Sequence, residues 1–89
     1  NSGGATRQGL MTAYRQDALR CGVYLKEHGP SKAAAVAKAT GVARAAALMR
    51  ADHYGWFERV ERGVYRLTPV GEAGLQDFAE AVVAVKAAP

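Results

Sequence analysis

A mainly helical α+β domain with a small β-hairpin is the fold class this sequence predicts, and three observations predict it. Apolar residues recur at spacings of three and four through residues 7–51, in runs broken at Gly29-Pro30 and again at Gly41. After Gly55 the period changes to alternation, with aromatic and β-branched residues on either side of Gly63. Thr68-Pro69 then reopens a helical run. The expected architecture is three helices, a two-stranded hairpin and a C-terminal helix. The chain has 89 residues, which is room for one domain and not two. With 49% apolar and 22% charged residues, it has the composition of a folded protein rather than a disordered one.

The first helix is expected from Arg7 to His28, where Leu10, Tyr14, Ala18, Cys21 and Leu25 form one apolar stripe. Residues 1–6 read as a flexible lead-in, and residues 7–89 as the domain. A first residue Asn1 in place of Met makes the chain read as a piece of a longer polypeptide. Gly29 and Pro30 stop the first helix, and Ser31 is placed to cap the next, KAAAVAKAT, which runs to Thr40. Gly41 makes the turn. A third helical run begins at Val42, which shares a face with Ala45, Leu48 and Met49, and it gives out near His53-Tyr54-Gly55.

WFERV and VYRL are the hairpin strands, and Gly63 is the residue that can enter the left-handed region at the tip. Opposing Val60 with Val64 also opposes Arg59 with Tyr65, Glu58 with Arg66 and Phe57 with Leu67. Phe57, Tyr65 and Leu67 then share the buried face. Thr68 is the expected cap and Pro69 the first residue of one last helix, with its stripe at Leu75, Phe78, Ala79, Val82 and Val83.

Several function classes fall away at this level. A single cysteine, Cys21, forms no internal disulfide and completes no zinc site, and its place in the apolar stripe reads as a buried inert thiol. No apolar stretch approaches the roughly 18 residues needed to span a bilayer, so neither a membrane nor secretion is expected, and a cytoplasmic location is. His28 and His53 have no second ligand or nucleophile at suggestive spacing and read as structural. Trp56 reads as a lid on the core rather than a stacking platform. No paired carboxylates, nucleophile with base, or metal-ligand cluster appears. The chain itself is therefore expected not to be an enzyme and to carry no catalytic residue, cofactor, metal or small-molecule substrate.

What remains is charge. The formal net charge is +4 and the sequence pI near 9.6. Between residues 30 and 67, Lys32, Lys38, Arg44, Arg50, Arg59, Arg62 and Arg66 face only Asp52, Glu58 and Glu61, whereas the tail from 68 to 89 is acidic. A basic middle fits a polyanionic partner; its bland counterpart is a solvated surface.

The segment AVAKATGVARAAALMRADHYGWFERVERGVYRLTPVGEAGL resembles a winged helix-turn-helix domain, most of all in Ala37 four residues before Gly41, Val42 directly after it, and the closing GVYRLTPVG. That resemblance implies DNA binding, with the third helix entering a groove and the hairpin as the flanking wing. More narrowly, YRQDALRCGVYLKEHGP through YGWFERVERGVYRLTPVGEAGL looks like the C-terminal segment of an uncharacterised bacterial family predicted to be PD-(D/E)XK-type phosphodiesterases. It implies a nuclease-like domain elsewhere in a parent chain, with this piece as its targeting module. The catalytic pattern itself does not transfer, because the sequence contains no Pro-Asp dipeptide and no acidic-x-Lys triplet.

On the third helix, Ala43, Ala47 and Ala51 are expected to point outward with Arg44 and Arg50 at the borders. Such a face approaches a groove closely but reads few base edges, so phosphate contacts would dominate and sequence preference would be modest. The candidate DNA-binding residues are Arg44, Arg50, Arg59, Arg62, Lys32 and Lys38. Arg62 is the wing-tip residue, Arg59 is a wing residue able to lie over Tyr65, and Lys32 and Lys38 stand on the second helix. Arg66 is the weakest wing candidate, because Glu58 opposite would occupy it. The competing reading is a protein-interaction module of the same fold, docking another domain through the alanine face or forming a homodimer through the first and last helices.

Overall fold

The computed structural model describes residues 2–87, with the side chains of residues 13–83 and Lys86. It is mainly helical with a small three-stranded antiparallel sheet, an α+β fold of the expected class. The order is α1 (Ser2–His28), β1 (Ser31–Lys32), α2 (Ala33–Thr40), α3 (Ala45–Ala51), β2 (Phe57–Glu61), β3 (Val64–Leu67), α4 (Pro69–Asp77) and α5 (Ala79–Ala87).

Helix α1 is longer than its apolar stripe and takes in residues 2–6, read from the sequence as lead-in. Asn1 and the Leu10 side chain lie outside the described residues. Tyr14 is half-buried, and Ala18, Cys21 and Leu25 are buried, as the stripe predicts; Leu19 joins them and is fully enclosed. Gly29, at φ 79°, turns the chain, and its N–H donates to the Leu25 carbonyl.

Ser31 does not cap α2. It lies in β1, where it pairs with Tyr65 while Lys32 pairs with Val64, so the sheet has three strands in the order β1-β3-β2. The residue at the α2 N-terminus is Lys32, whose side chain makes no capping hydrogen bond. The Ser31 hydroxyl instead donates to the Gly29 carbonyl at 2.9 Å. Lys32 is therefore a strand residue and not a residue of the second helix.

Gly41, at φ 80°, ends α2 as expected, and the Thr40 hydroxyl donates to the Val36 carbonyl while accepting from the Val42 N–H. The third helix starts later than its apolar pattern. Val42 to Arg44 form the turn, and α3 spans only Ala45–Ala51. Val42, Ala45, Leu48 and Met49 are buried all the same. Asp52 closes α3 in the left-handed region at φ 50°, and its carboxylate accepts the Phe57 N–H at 3.1 Å, which holds the loop into β2.

The hairpin register agrees with expectation at three pairs, Phe57 with Leu67, Glu58 with Arg66 and Arg59 with Tyr65, and departs from it at the tip. Glu61, not Val60, stands opposite Val64. Val60 is the extra residue of a β-bulge and is half exposed. Phe57, Tyr65 and Leu67 are buried on the inner face.

Thr68 caps α4, its hydroxyl oxygen accepting the Gly71 N–H at 3.0 Å and its O–H donating to the Gly55 carbonyl at 2.8 Å. The expected single last helix is two. The chain leaves helical geometry at Phe78 (φ −112°, ψ 39°), whose ring lies 6.4 Å from that of Trp56 and under the Arg15 guanidinium at 4.5 Å. The ring's packing between α1 and the core accompanies the break, and α5 then packs on α1.

Candidate nucleic-acid interface

The seven cations of the basic segment divide into paired and unpaired. Arg66 belongs to the first group: its Nη2 lies 2.6 Å from Glu58 Oε1 across the strands, as their register predicts. Arg44 belongs there too, which the sequence does not reveal. Its Nε and Nη2 donate to the same carboxylate oxygen of Asp17, Oδ2, at 3.2 and 3.0 Å, and its guanidinium lies 5.4 Å from the Tyr14 ring centroid. Asp17 is shared, since its other oxygen lies 3.5 Å from Arg20 Nη1. Arg44 is thus not the free surface cation that the third helix was expected to offer.

Asp17, Tyr14 and Arg20 escape sequence reasoning because the pairing spans 27 residues and joins α1 to the turn before α3. Only the i,i+3 pair of Asp17 with Arg20 has a local signal.

Among the described residues, Arg50, Arg59, Arg62, Lys32 and Lys38 have no salt-bridge partner within 4 Å, and all five are exposed. Three of them stand near the hairpin tip in backbone position, with Lys32 and Arg59 on opposite faces of the sheet. Lys32 stands opposite Val64, and the N–H of the next residue, Ala33, donates to the Gly63 carbonyl at 2.8 Å. Arg62 is in the tip itself, with Gly63 at φ 74° behind it, and Arg59 stands opposite Tyr65 on the other side of β3. No stacking of Arg59 on Tyr65 is seen among the described residues. Arg50 lies in the last turn of α3, and Lys38 in the last turn of α2. The outward face of α3 carries Ala46, Ala47, Arg50 and Ala51, with Ala43 exposed in the turn before it.

Trp56 is 4% exposed and packs against Tyr54, Phe57 and Phe78, so it is core and not a platform for a base. Cys21 is fully enclosed, and burial pushes its thiol from the usual 9.0 up to about 12, with the nearby Asp17 charge acting the same way. Burial likewise raises the Tyr14 phenol. His53 meets the Tyr14 ring edge-on at 5.3 Å, and His28 stacks on Tyr24 at 4.2 Å.

The described residues contain no group of three His, Cys, Asp or Glu that could hold a metal ion. No described helix is long and apolar enough to cross a membrane.

No curated protein and no solved structure matches the chain. A family model does match, over residues 1–74, from α1 into α4, and its description is "Putative PD-(D/E)XK phosphodiesterase (DUF2161)"; the chain belongs to that family.

Proposed function

We propose that this chain is a winged helix-turn-helix module that binds nucleic acid, duplex DNA above all, and that it delivers a phosphodiesterase domain of a parent protein to its substrate in the cytoplasm. In this reading α2, the Gly41 turn and α3 are the helix-turn-helix, β2 and β3 are the wing, and β1 is the short strand that completes the sheet. The observation that carries it is the set of five exposed cations on α2, α3, β1 and the hairpin that have no salt-bridge partner among the described residues, three of them near the hairpin tip in backbone position. Phosphate oxygens are the partner chemistry such a set fits, and the alanine face of α3 permits close approach while reading few bases. Catalysis is assigned to another part of the parent protein, because the acidic-x-Lys pattern is absent here.

Titration of a labelled mixed-sequence duplex tests this reading. Wild-type chain is expected to bind at about 50 mM salt, and the triple variant Arg50→Ala/Arg59→Ala/Arg62→Ala to bind at least tenfold more weakly. Equal binding by the two would refute the assignment.

A second reading, homodimerisation through α1 and α5, is favoured by an open groove of about 510 Å³ between α1, α4 and α5. Val23, Leu75, Ala79 and Val82 line it, and Val83 is 66% exposed at its edge. Light scattering separates the two: a stable dimer that does not bind DNA supports the second.

A further inference from the structure

The Asp17–Arg44 contact does more than neutralise a cation. A guanidinium offers five N–H donors, arranged as two forks that share Nη2. Asp17 Oδ2 takes the Nε and Nη2 hydrogens on one fork. The other fork, the second Nη2 hydrogen with one Nη1 hydrogen, has no hydrogen-bond acceptor among the described residues, nor has the remaining Nη1 hydrogen, and the Arg44 side chain is 54% exposed. The Tyr14 ring lies beside the guanidinium, its centroid 5.4 Å from Arg44 Cζ, so Arg44 has a carboxylate and a ring as neighbours before any ligand arrives. Asp17 also faces Arg20, so the three groups together keep one net positive charge.

We propose that Asp17 is a positioning residue, which with Tyr14 fixes Arg44 so that its open Nη1–Nη2 fork meets a phosphate of the bound nucleic acid. This rests on the nucleic-acid reading above and adds α1 to its interface. A flexible arginine loses rotamer freedom on binding, whereas one already held by a carboxylate and a ring loses less, and two parallel N–H···O bonds to a phosphate depend on that orientation. The consequence runs against charge counting. Removing an acid from a surface that binds a polyanion should strengthen binding, yet here it should weaken it, because the fork is released.

The test is titration of the 89-residue chain with a short mixed-sequence DNA duplex at about 150 mM salt, where charges more than about 8 Å apart are largely screened. Asp17→Asn should weaken binding roughly three- to tenfold, and Asp17→Glu should retain most of the wild-type affinity. Glu80→Gln, an equal change in net charge on α5, should cause no loss. In an Arg44→Ala background, Asp17→Asn should cause no further loss, as required of a residue that acts through Arg44. Arg44→Lys keeps the charge without the planar fork and should match Asp17→Asn, which keeps the test open even if substitution at Asp17 lowers the melting temperature. If Asp17→Asn binds as tightly as wild type or more tightly, if its loss is the same with and without Arg44, or if Arg44→Lys binds like wild type, the assignment is wrong although the nucleic-acid reading stands. If wild type itself does not bind at low salt, both fall together.

Discussion

A methyl group on Gly74 would sit 2.5 Å from Cε2 of Trp56, and one on Gly71 would sit 2.6 Å from both the Trp56 carbonyl and Leu67. Helix α4 can therefore lie against the indole only because those positions have no side chain. Gly74→Ala is expected to destabilise by about 1–3 kcal/mol and to shift the fluorescence of the chain's single tryptophan, readable by urea denaturation followed through that signal. Cys21 makes a second prediction at this scale. The folded state holds the thiol neutral up to about pH 12, whereas an exposed thiol ionises from about 9.0. The unfolded chain therefore releases its proton first, and stability present below pH 9 is lost as pH rises towards 12, at up to about 1.4 kcal/mol per pH unit. Cys21→Ala should remove this component, so melting curves of the two proteins should converge as pH rises from 9 to 11; a constant difference would contradict burial of the thiol. The burial of Cys21 and Trp56 was legible in the sequence, because a stripe at helical spacing and an aromatic run after a glycine are local patterns. Asp17 with Arg44 was not, since nothing near either residue signals a partner 27 positions away.

Elements were legible where their ends are written in adjacent residues. Thr68-Pro69 opens α4 because a hydroxyl, a proline and the Gly71 N–H within four residues make the cap. Thr68→Ala is expected to cost about 1–2 kcal/mol in the thermal or urea unfolding transition, as it removes both the Gly71 cap and the bond to the Gly55 carbonyl. Strand β1 was not legible, since two residues carry no period and its pairing with Val64 and Tyr65 is non-local. The same holds for the hairpin tip. Gly63 specified where the chain turns, but whether Val60 or Glu61 faces Val64 depends on which residue the sheet extrudes. The last helix divides at Phe78 although no proline or glycine stands there; its ring is held between Trp56 and Arg15, contacts that no local pattern encodes.

At the scale of the whole molecule, the excess of cations in residues 30–67 was visible in the sequence, but which of them are available was not. Two of seven are paired by carboxylates, one by a cross-strand partner that the register foretold and one by α1. The remaining five lie on α2, α3, β1 and the hairpin, and β1, unforeseen, brings Lys32 opposite Val64, next to the hairpin tip. The central claim is that these cations bind a nucleic-acid backbone, and the salt dependence of duplex binding tests it most directly. Each phosphate contact contributes a slope of about −0.9 to log K against log salt, so the chain should give a slope of about −3 to −4.5 between roughly 50 and 200 mM. Undetectable binding at the low end of that range, or a slope near zero, would contradict it.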